Sequence, residues 1–204
     1  MANYKKPDYW QQKARSEGYP ARSVYKLIEI DKKFSFFKNP PSTLRVLDIG
    51  AAPGSWSLYV LRKFSGRHFL AAADLSPLSR EFDKGLFDGS NFFFVQGDIT
   101  TTQVREALFS KGPYSMIISD VAPATTGNRT VDTARSLGLA EEVLVYAEHI
   151  LAPGGNLVFK VFQGGDSAQL LKQMKALFTT AKSFKPEACR GESVETYYIG
   201  MHKK

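Results

Sequence analysis

The chain has 204 residues, with 27 Lys and Arg against 20 Asp and Glu, a formal net charge of +7, and 43% hydrophobic residues. This length fits one α/β domain with a full core, and the composition excludes a disordered chain. The single cysteine, Cys189, excludes an internal disulfide, and no apolar run resembles a signal peptide or a membrane span, so a cytoplasmic, non-membrane protein is expected.

The charge is uneven. Residues 1–45 hold ten Lys and Arg against four Asp and Glu. A basic arm that includes Lys5, Lys6, Lys13 and Arg15 suits a polyanionic partner; the bland alternative is a solvated tail. Two short helices are expected, over about 8–16 and 23–34. In the second, Val24, Leu27, Ile28 and Ile30 are apolar while Lys26, Glu29, Lys32 and Lys33 are charged. Asn39-Pro40-Pro41-Ser42 then stops the helical leader. The chain reads as one domain over 1–204, with 1–40 as a basic helical appendage.

From there the rhythm is strand, turn, helix. Strands are expected at 45–50, 69–74, 92–96, 114–120 and 156–162. Helices are expected at 55–64, 133–151 and 168–178, the second stopped by Pro153-Gly154-Gly155. Two closing strands, 182–186 and 196–202, have no helix between them and should pair as an antiparallel hairpin at the sheet edge. Apolar strands alternating with helices argue for a mostly parallel sheet with helices on both faces.

In such sheets ligands bind beyond the carboxyl ends of the strands. Asp48-Ile49-Gly50-Ala51-Ala52-Pro53-Gly54-Ser55-Trp56-Ser57 follows the first strand. Gly50 and Gly54 allow close backbone approach, or else simply make a tight turn. The spacing is not G-x-G-x-x-G, which disfavours a dinucleotide-dependent oxidoreductase. Asp74 ends the second strand, where it is placed for ribose hydroxyls or for a helix N-cap. Asp98, after the third strand, is placed for an adenine amine or for a turn. Asp120 follows the fourth. A carboxylate near the reacting centre would also attract a sulfonium cation. Trp56 is either a ligand neighbour or a core aromatic. Cys189 reads as an inert side chain near the last strands.

The string at 48–57 resembles the FtsJ/RrmJ family of RNA ribose 2′-O-methyltransferases. So do Arg22-Ser23-Val24-Tyr25-Lys26-Leu27, Ser119-Asp120-Val121-Ala122-Pro123, Leu151-Ala152-Pro153-Gly154-Gly155 with Phe159-Lys160-Val161-Phe162-Gln163-Gly164, and Arg190 with Ser193-Val194-Glu195-Thr196-Tyr197. The resemblance runs from about Tyr19 to the C-terminus. It implies a Rossmann-like, seven-stranded methyltransferase sheet that binds S-adenosyl-L-methionine. It implies a catalytic tetrad at Lys26, Asp120, Lys160 and Glu195. It implies cofactor contacts at Gly54, Trp56, Asp74, Asp98 and Asp120; the loop reading adds Gly50, and no metal is expected. The bacterial relatives imply a uridine of 23S ribosomal RNA as substrate, within the large ribosomal subunit; a monomer is expected because no sequence feature points beyond one.

Two stretches depart from the family pattern. Residues 78–91 are longer and are expected at the adenosine edge, and 124–130 are expected to face RNA. In the reaction the ribose oxygen attacks the methyl carbon, the neutral thioether leaves as the carbon–sulfur bond breaks, and the hydroxyl proton is lost. Lys160 either takes that proton as a neutral amine or stays charged and stabilises the alkoxide. Rival readings are a ribose of tRNA or of an mRNA cap, and a non-catalytic RNA-binding module. The second would have lost part of the tetrad, and none is lost.

Overall fold

The computed structural model of the chain describes residues 8–64, 68–164, 167–191 and 193–204. Lys5 and Lys6 of the expected basic arm lie outside the described residues. Two helices, α1 (Tyr9–Ser16) and α2 (Val24–Phe34), precede β1 (Leu44–Ile49), α3 (Ser55–Lys63), β2 (His68–Asp74) and β3 (Phe92–Gln96). Then come α4 (Thr102–Phe109), β4 (Tyr114–Ser119), α5 (Arg129–Ile150), β5 (Leu151–Phe162), α6 (Ser167–Leu177), β6 (Phe178–Phe184) and β7 (Glu195–Lys203). The strands form one sheet in the order β3-β2-β1-β4-β5-β7-β6. The first five run parallel.

The closing antiparallel hairpin forms at the sheet edge, as expected. β7 does not lie outside β6. It enters between β5 and β6 and pairs antiparallel with both. Its reversed direction sets its first residue, Glu195, opposite Phe162, the last residue of β5. The start of β7 is thereby delivered to the carboxyl edge of the parallel strands.

Alternation along each strand sorts side chains between two cores. Leu47 and Ile49 of β1 pack with Val104 and Leu108 of α4, Val143 and Ala147 of α5, and Leu170 and Met174 of α6. Leu44 and Val46 point the other way, toward Leu27 and Ile30 of α2 and Leu58 and Leu61 of α3. Helices thus cover both faces. Leu27 and Ile30 are fully buried, so α2 is held by the sheet itself. α1 is held more lightly, through Ala14 against Val24 and Tyr25.

Local chemistry explains where elements begin. α5 starts at Arg129, four residues before the expected position, because the Asn128 side chain accepts from the amides of Thr130 and Val131. α4 gave no sequence signal, since only Val104 and Leu108 of its eight residues are buried. β5 already pairs Leu151 with Tyr114, then bulges at the Pro-Gly-Gly stretch and resumes at Asn156 opposite Met116. β6 starts at Phe178, directly after α6.

The chain runs β1, β2, β3 to one side, then returns to β4 on the other side of β1. The strand order therefore reverses between β1 and β4, and the crevice beyond their carboxyl ends is the place for a ligand. Among the described residues no helix is long and apolar enough to cross a membrane.

Candidate active site

Strand parity decides which side chains meet. Ile118 of β4, Val158 of β5 and Tyr197 of β7 all face α2 and α3. Asp120, Lys160 and Glu195 each lie two residues from one of these, so they emerge on the same face. Lys26 comes down onto them from α2. Lys26 Nζ donates to Glu195 Oε2 at 2.8 Å. Lys160 Nζ donates to the Asp120 carbonyl at 2.6 Å and lies 3.1 Å from Asp120 Oδ1. Lys26, Lys160 and Glu195 are only 7–8% exposed. The four expected tetrad residues are thus brought together as two lysine–carboxylate pairs. Charges this buried persist only when paired and hydrogen-bonded.

The electrostatics follow from the pairing. Burial works against charge at Asp120, but Lys160 and Lys26 outweigh it, and the Asp120 carboxyl is held below the usual carboxylate range. Burial likewise works against charge at Lys26, and Asp120 and Glu195 outweigh it, so the ammonium holds its proton more tightly than usual. Tyr197, which was not singled out in the sequence, donates its hydroxyl to Asp120 Oδ1 at 2.6 Å. Burial and then Asp120 raise that phenol well above its ordinary range, so it stays a donor. The signal that could have found it is its place two residues after Glu195, on the same face of the same strand. Cys189 is buried beside this cluster, and burial pushes its thiol up to about 12, so it stays an unreactive thiol.

A cavity of about 350 Å³ opens at the carboxyl ends of β1 to β4, within the usual range for a small-molecule site. Gly50, Asp74, Asp98 and Asp120 line it, with apolar wall from Leu75, Ile99 and Val121. Gly50 has φ +76°, and a Cβ there would lie 2.5 Å from the Val121 backbone. Asp74 accepts from the amides of Ala52 at 2.9 Å and Ser76 at 2.8 Å, so it ties the β1 loop to the β2 turn rather than capping a helix. Asp98 uses one oxygen, Oδ1, for the amide and hydroxyl of Thr100. These bonds, the amide first, hold its carboxyl below the usual range. Leu75 is 68% exposed at the rim, an apolar side chain left open to solvent, and was not anticipated.

Gly54 and Trp56 are not on this wall. Gly54 has φ +109°, and a Cβ there would sit 2.8 Å from the Phe87 ring. The Trp56 indole is 2% exposed, donates to the Ser23 carbonyl at 2.8 Å and packs 5.9 Å from the Tyr197 ring. Residues 78–91 do not border the cavity either. They brace the loop from behind, through Phe87 under Gly54 and the Ser79 amide on the Pro53 carbonyl. The stretch 124–130 is ordered by Asp132. Its carboxylate accepts from the Thr126 amide at 2.7 Å, the Thr126 hydroxyl at 2.8 Å and the Gly127 amide at 3.2 Å. Of the described part of the basic arm, Arg15 pairs with Glu81 at 2.5 Å, and Lys13 lies over the Trp10 and Tyr25 rings.

On the far side of the tetrad a second cavity, of about 210 Å³, is lined by Lys26 and Glu195 together with Arg22 and Arg190. One cavity thus reaches the cluster at Asp120 and the other at the Lys26–Glu195 pair. The first fits S-adenosyl-L-methionine. It offers free lone pairs on strand-end acids, bare backbone at Gly50, and an anionic Asp120 where a cationic centre would lie.

Comparison with known proteins agrees with this geometry. The model of the FtsJ-like methyltransferase family matches residues 19–203. The chain is 51% identical over 201 residues to the ribosomal RNA large subunit methyltransferase E of Treponema denticola, covering 98% of this chain and 97% of that protein. It is 45% identical to the protein of that name from Borrelia garinii subsp. bavariensis, covering 95% of each. A crystal structure of a ribosomal RNA methyltransferase from Plasmodium falciparum shares the fold, with a TM-score of 0.74 at 24% identity, over 91% of this chain and 98% of that one. The chain belongs to the FtsJ-like methyltransferase family and uses S-adenosylmethionine as its cofactor.

Proposed function

We propose that this protein methylates the 2′-hydroxyl of a uridine ribose in 23S ribosomal RNA, acting as a monomer on the large ribosomal subunit in the cytoplasm. The observation that carries the reading is the pair of cavities meeting at two buried lysine–carboxylate pairs. The relatives' names supply the ribosomal substrate. We read residues 1–204 as one methyltransferase domain, with 1–40 as its RNA-facing helical appendage.

When bound, S-adenosylmethionine supplies an electrophilic methyl group on a sulfonium centre. Asp74 would accept from the cofactor's ribose hydroxyls, with its existing bonds to Ala52 and Ser76 holding it in place. Asp98, with Oδ2 not used by Thr100, would accept from the adenine amine. Leu75 and Ile99 supply the apolar walls. Asp120 attracts the cationic end. Gly50 and Gly54 keep the loop low enough for close approach. The Trp56 indole N–H is already given to Ser23, so the side chain supports the first turn of α3 rather than meeting the cofactor.

Lys160 has two acceptors on Asp120, the carbonyl and the carboxylate. A neutral amine has two N–H groups and meets both, leaving its lone pair for the incoming 2′-hydroxyl. Lys160 therefore takes the proton as the carbon–oxygen bond forms. Lys26 stays charged beside Glu195 and orients the attacking oxygen, and Glu195 fixes Lys26. Holding both reactants across the tetrad lowers the barrier by roughly 7–11 kcal/mol in favourable cases.

The test is methylation of total RNA, free 23S RNA and large ribosomal subunits with tritiated cofactor, followed by mapping of the product. The expected product is one 2′-O-methyluridine in the large-subunit RNA. A methylated base, or label only in tRNA or in cap structures, overturns the reading.

A further inference from the structure

Arg190 is not used by the chemistry above, yet it stands on the wall of the second cavity beside Lys26 and Glu195. Three cations line that cavity. Arg22 is committed to the Asp8 carboxylate and, at 2.5 Å, to the Ala188 carbonyl. Lys26 is committed to Glu195. Arg190 is exposed, and among the described residues its guanidinium has no hydrogen-bond or ion-pair partner.

The segment that carries this free cation is held firmly. Glu29 of α2 accepts from the Glu187 amide at 2.7 Å and from the Ala188 amide at 2.9 Å. Ala188 is fully buried against Val24 and Tyr25. Together with the bond from Arg22, just before α2, this contact from the middle of the helix clasps the stretch just before Arg190. Connecting segments usually lie loose on a surface. Here charge-assisted bonds fix one whose own charge is left open.

The tetrad lends no net positive charge to a strand entering the cavity, because each lysine there is matched by a carboxylate. Arg190 is the unmatched cation at its mouth. A guanidinium presents a planar fork of N–H donors that matches two phosphate oxygens. We propose that Arg190 anchors a backbone phosphodiester flanking the target ribose, and that Glu29, as a positioning residue, holds it there by clasping 187–188 to α2. The proposal rests on the RNA reading above.

The experiment uses large ribosomal subunits lacking the modification and tritiated cofactor, with Arg190→Gln, Arg190→Lys and Glu29→Ala beside the unsubstituted protein. For Arg190→Gln the expected loss falls on KM for subunits, about tenfold, rather than on kcat. The salt dependence of RNA binding should flatten by roughly 0.7–1 in log–log slope, the loss of one phosphate contact. Arg190→Lys should recover most of the KM and the slope. Glu29→Ala should raise KM in the same direction with cofactor Kd unmoved by calorimetry. An unchanged KM for Arg190→Gln overturns the proposal, as does a raised KM with an unchanged salt slope, which would mean a base contact. If the unsubstituted protein labels no RNA, the parent reading fails instead, and the two failures are told apart.

Discussion

Tyr197 reaches across the Lys160 strand to share an oxygen of Asp120. Its hydroxyl donates to Asp120 Oδ1 at 2.6 Å, and Lys160 Nζ lies 3.1 Å from that same oxygen. Tyr197 and Lys160 are register partners on β7 and β5, so the sheet itself sets the geometry. Removing a hydrogen bond to a charged group costs about 1.5–3 kcal/mol. Tyr197→Phe is therefore expected to lower kcat by roughly 10–100-fold, with cofactor Kd changed by less than about threefold. Single-turnover methylation and calorimetry check this. A wild-type kcat would remove the hydroxyl from any role in the site.

Lys160 and Asp120 should separate in their effects. Lys160→Ala is expected to abolish methyl transfer and leave cofactor affinity nearly intact, because Lys160 is not on the wall of the cofactor cavity. Asp120→Ala should lose both, because Asp120 lines that cavity and also accepts from Lys160. Calorimetry against the cofactor, beside activity, reads the difference. Unchanged affinity in Asp120→Ala would exclude a contact with the cationic end.

Asp48 gives a pH prediction. It is fully buried on β1, one oxygen accepts from Ser57 at 2.7 Å, and the other has no partner among the described residues. Burial pushes its carboxyl up to about 7. A carboxyl raised on folding binds its proton more tightly in the folded state. Its contribution to stability is therefore full below its ordinary value near 4 and declines as pH rises toward 7. Asp48→Asn should remove this decline. Melting both proteins from pH 4.5 to pH 8 should show Tm of the variant gaining on wild type as pH rises. A pH-independent difference would show that Asp48 does not titrate in that window.

Lys203 closes the far end of α5. Its ammonium donates to the carbonyls of Ala147, Glu148 and Leu151 at 2.7–2.8 Å, where a helix presents unpaired acceptors and negative partial charge. Lys203→Met keeps the stem and removes the donors. The expected loss is about 1–3 kcal/mol of unfolding free energy, from hydrogen bonds of a charged donor. Urea unfolding measures it, with kcat of the folded protein unaffected, since Lys203 lies at the opposite end of β7 from Glu195. Undiminished stability would mean that water replaces the ammonium at no cost.

Much of the protein was legible in the residues alone. Short, near-continuous apolar runs between turn signals set apart the strands, because a strand covered on both faces is apolar throughout, and capping and stop signals set apart the longer helices. The loop at Gly50 and the strand-end acids were legible because chain order alone places them beyond the carboxyl ends of parallel strands. Lys26, Asp120, Lys160 and Glu195 were legible by resemblance. α4 was not, because a stripe of two buried residues is too thin to show a period.

What only the tertiary structure decided is which of these groups touch. The insertion of β7 between β5 and β6 is a pairing across distant segments, and no local pattern encodes it. That insertion brings Glu195 and Tyr197 to Lys160 and Asp120. Tertiary packing also decides that residues 78–91 support the glycine loop from behind, and that the Trp56 indole is spent on Ser23. Local propensity depends on neighbours a few residues away, whereas Lys26 and Glu195 meet across 169 positions of chain, and only the folded sheet sets that distance at 2.8 Å.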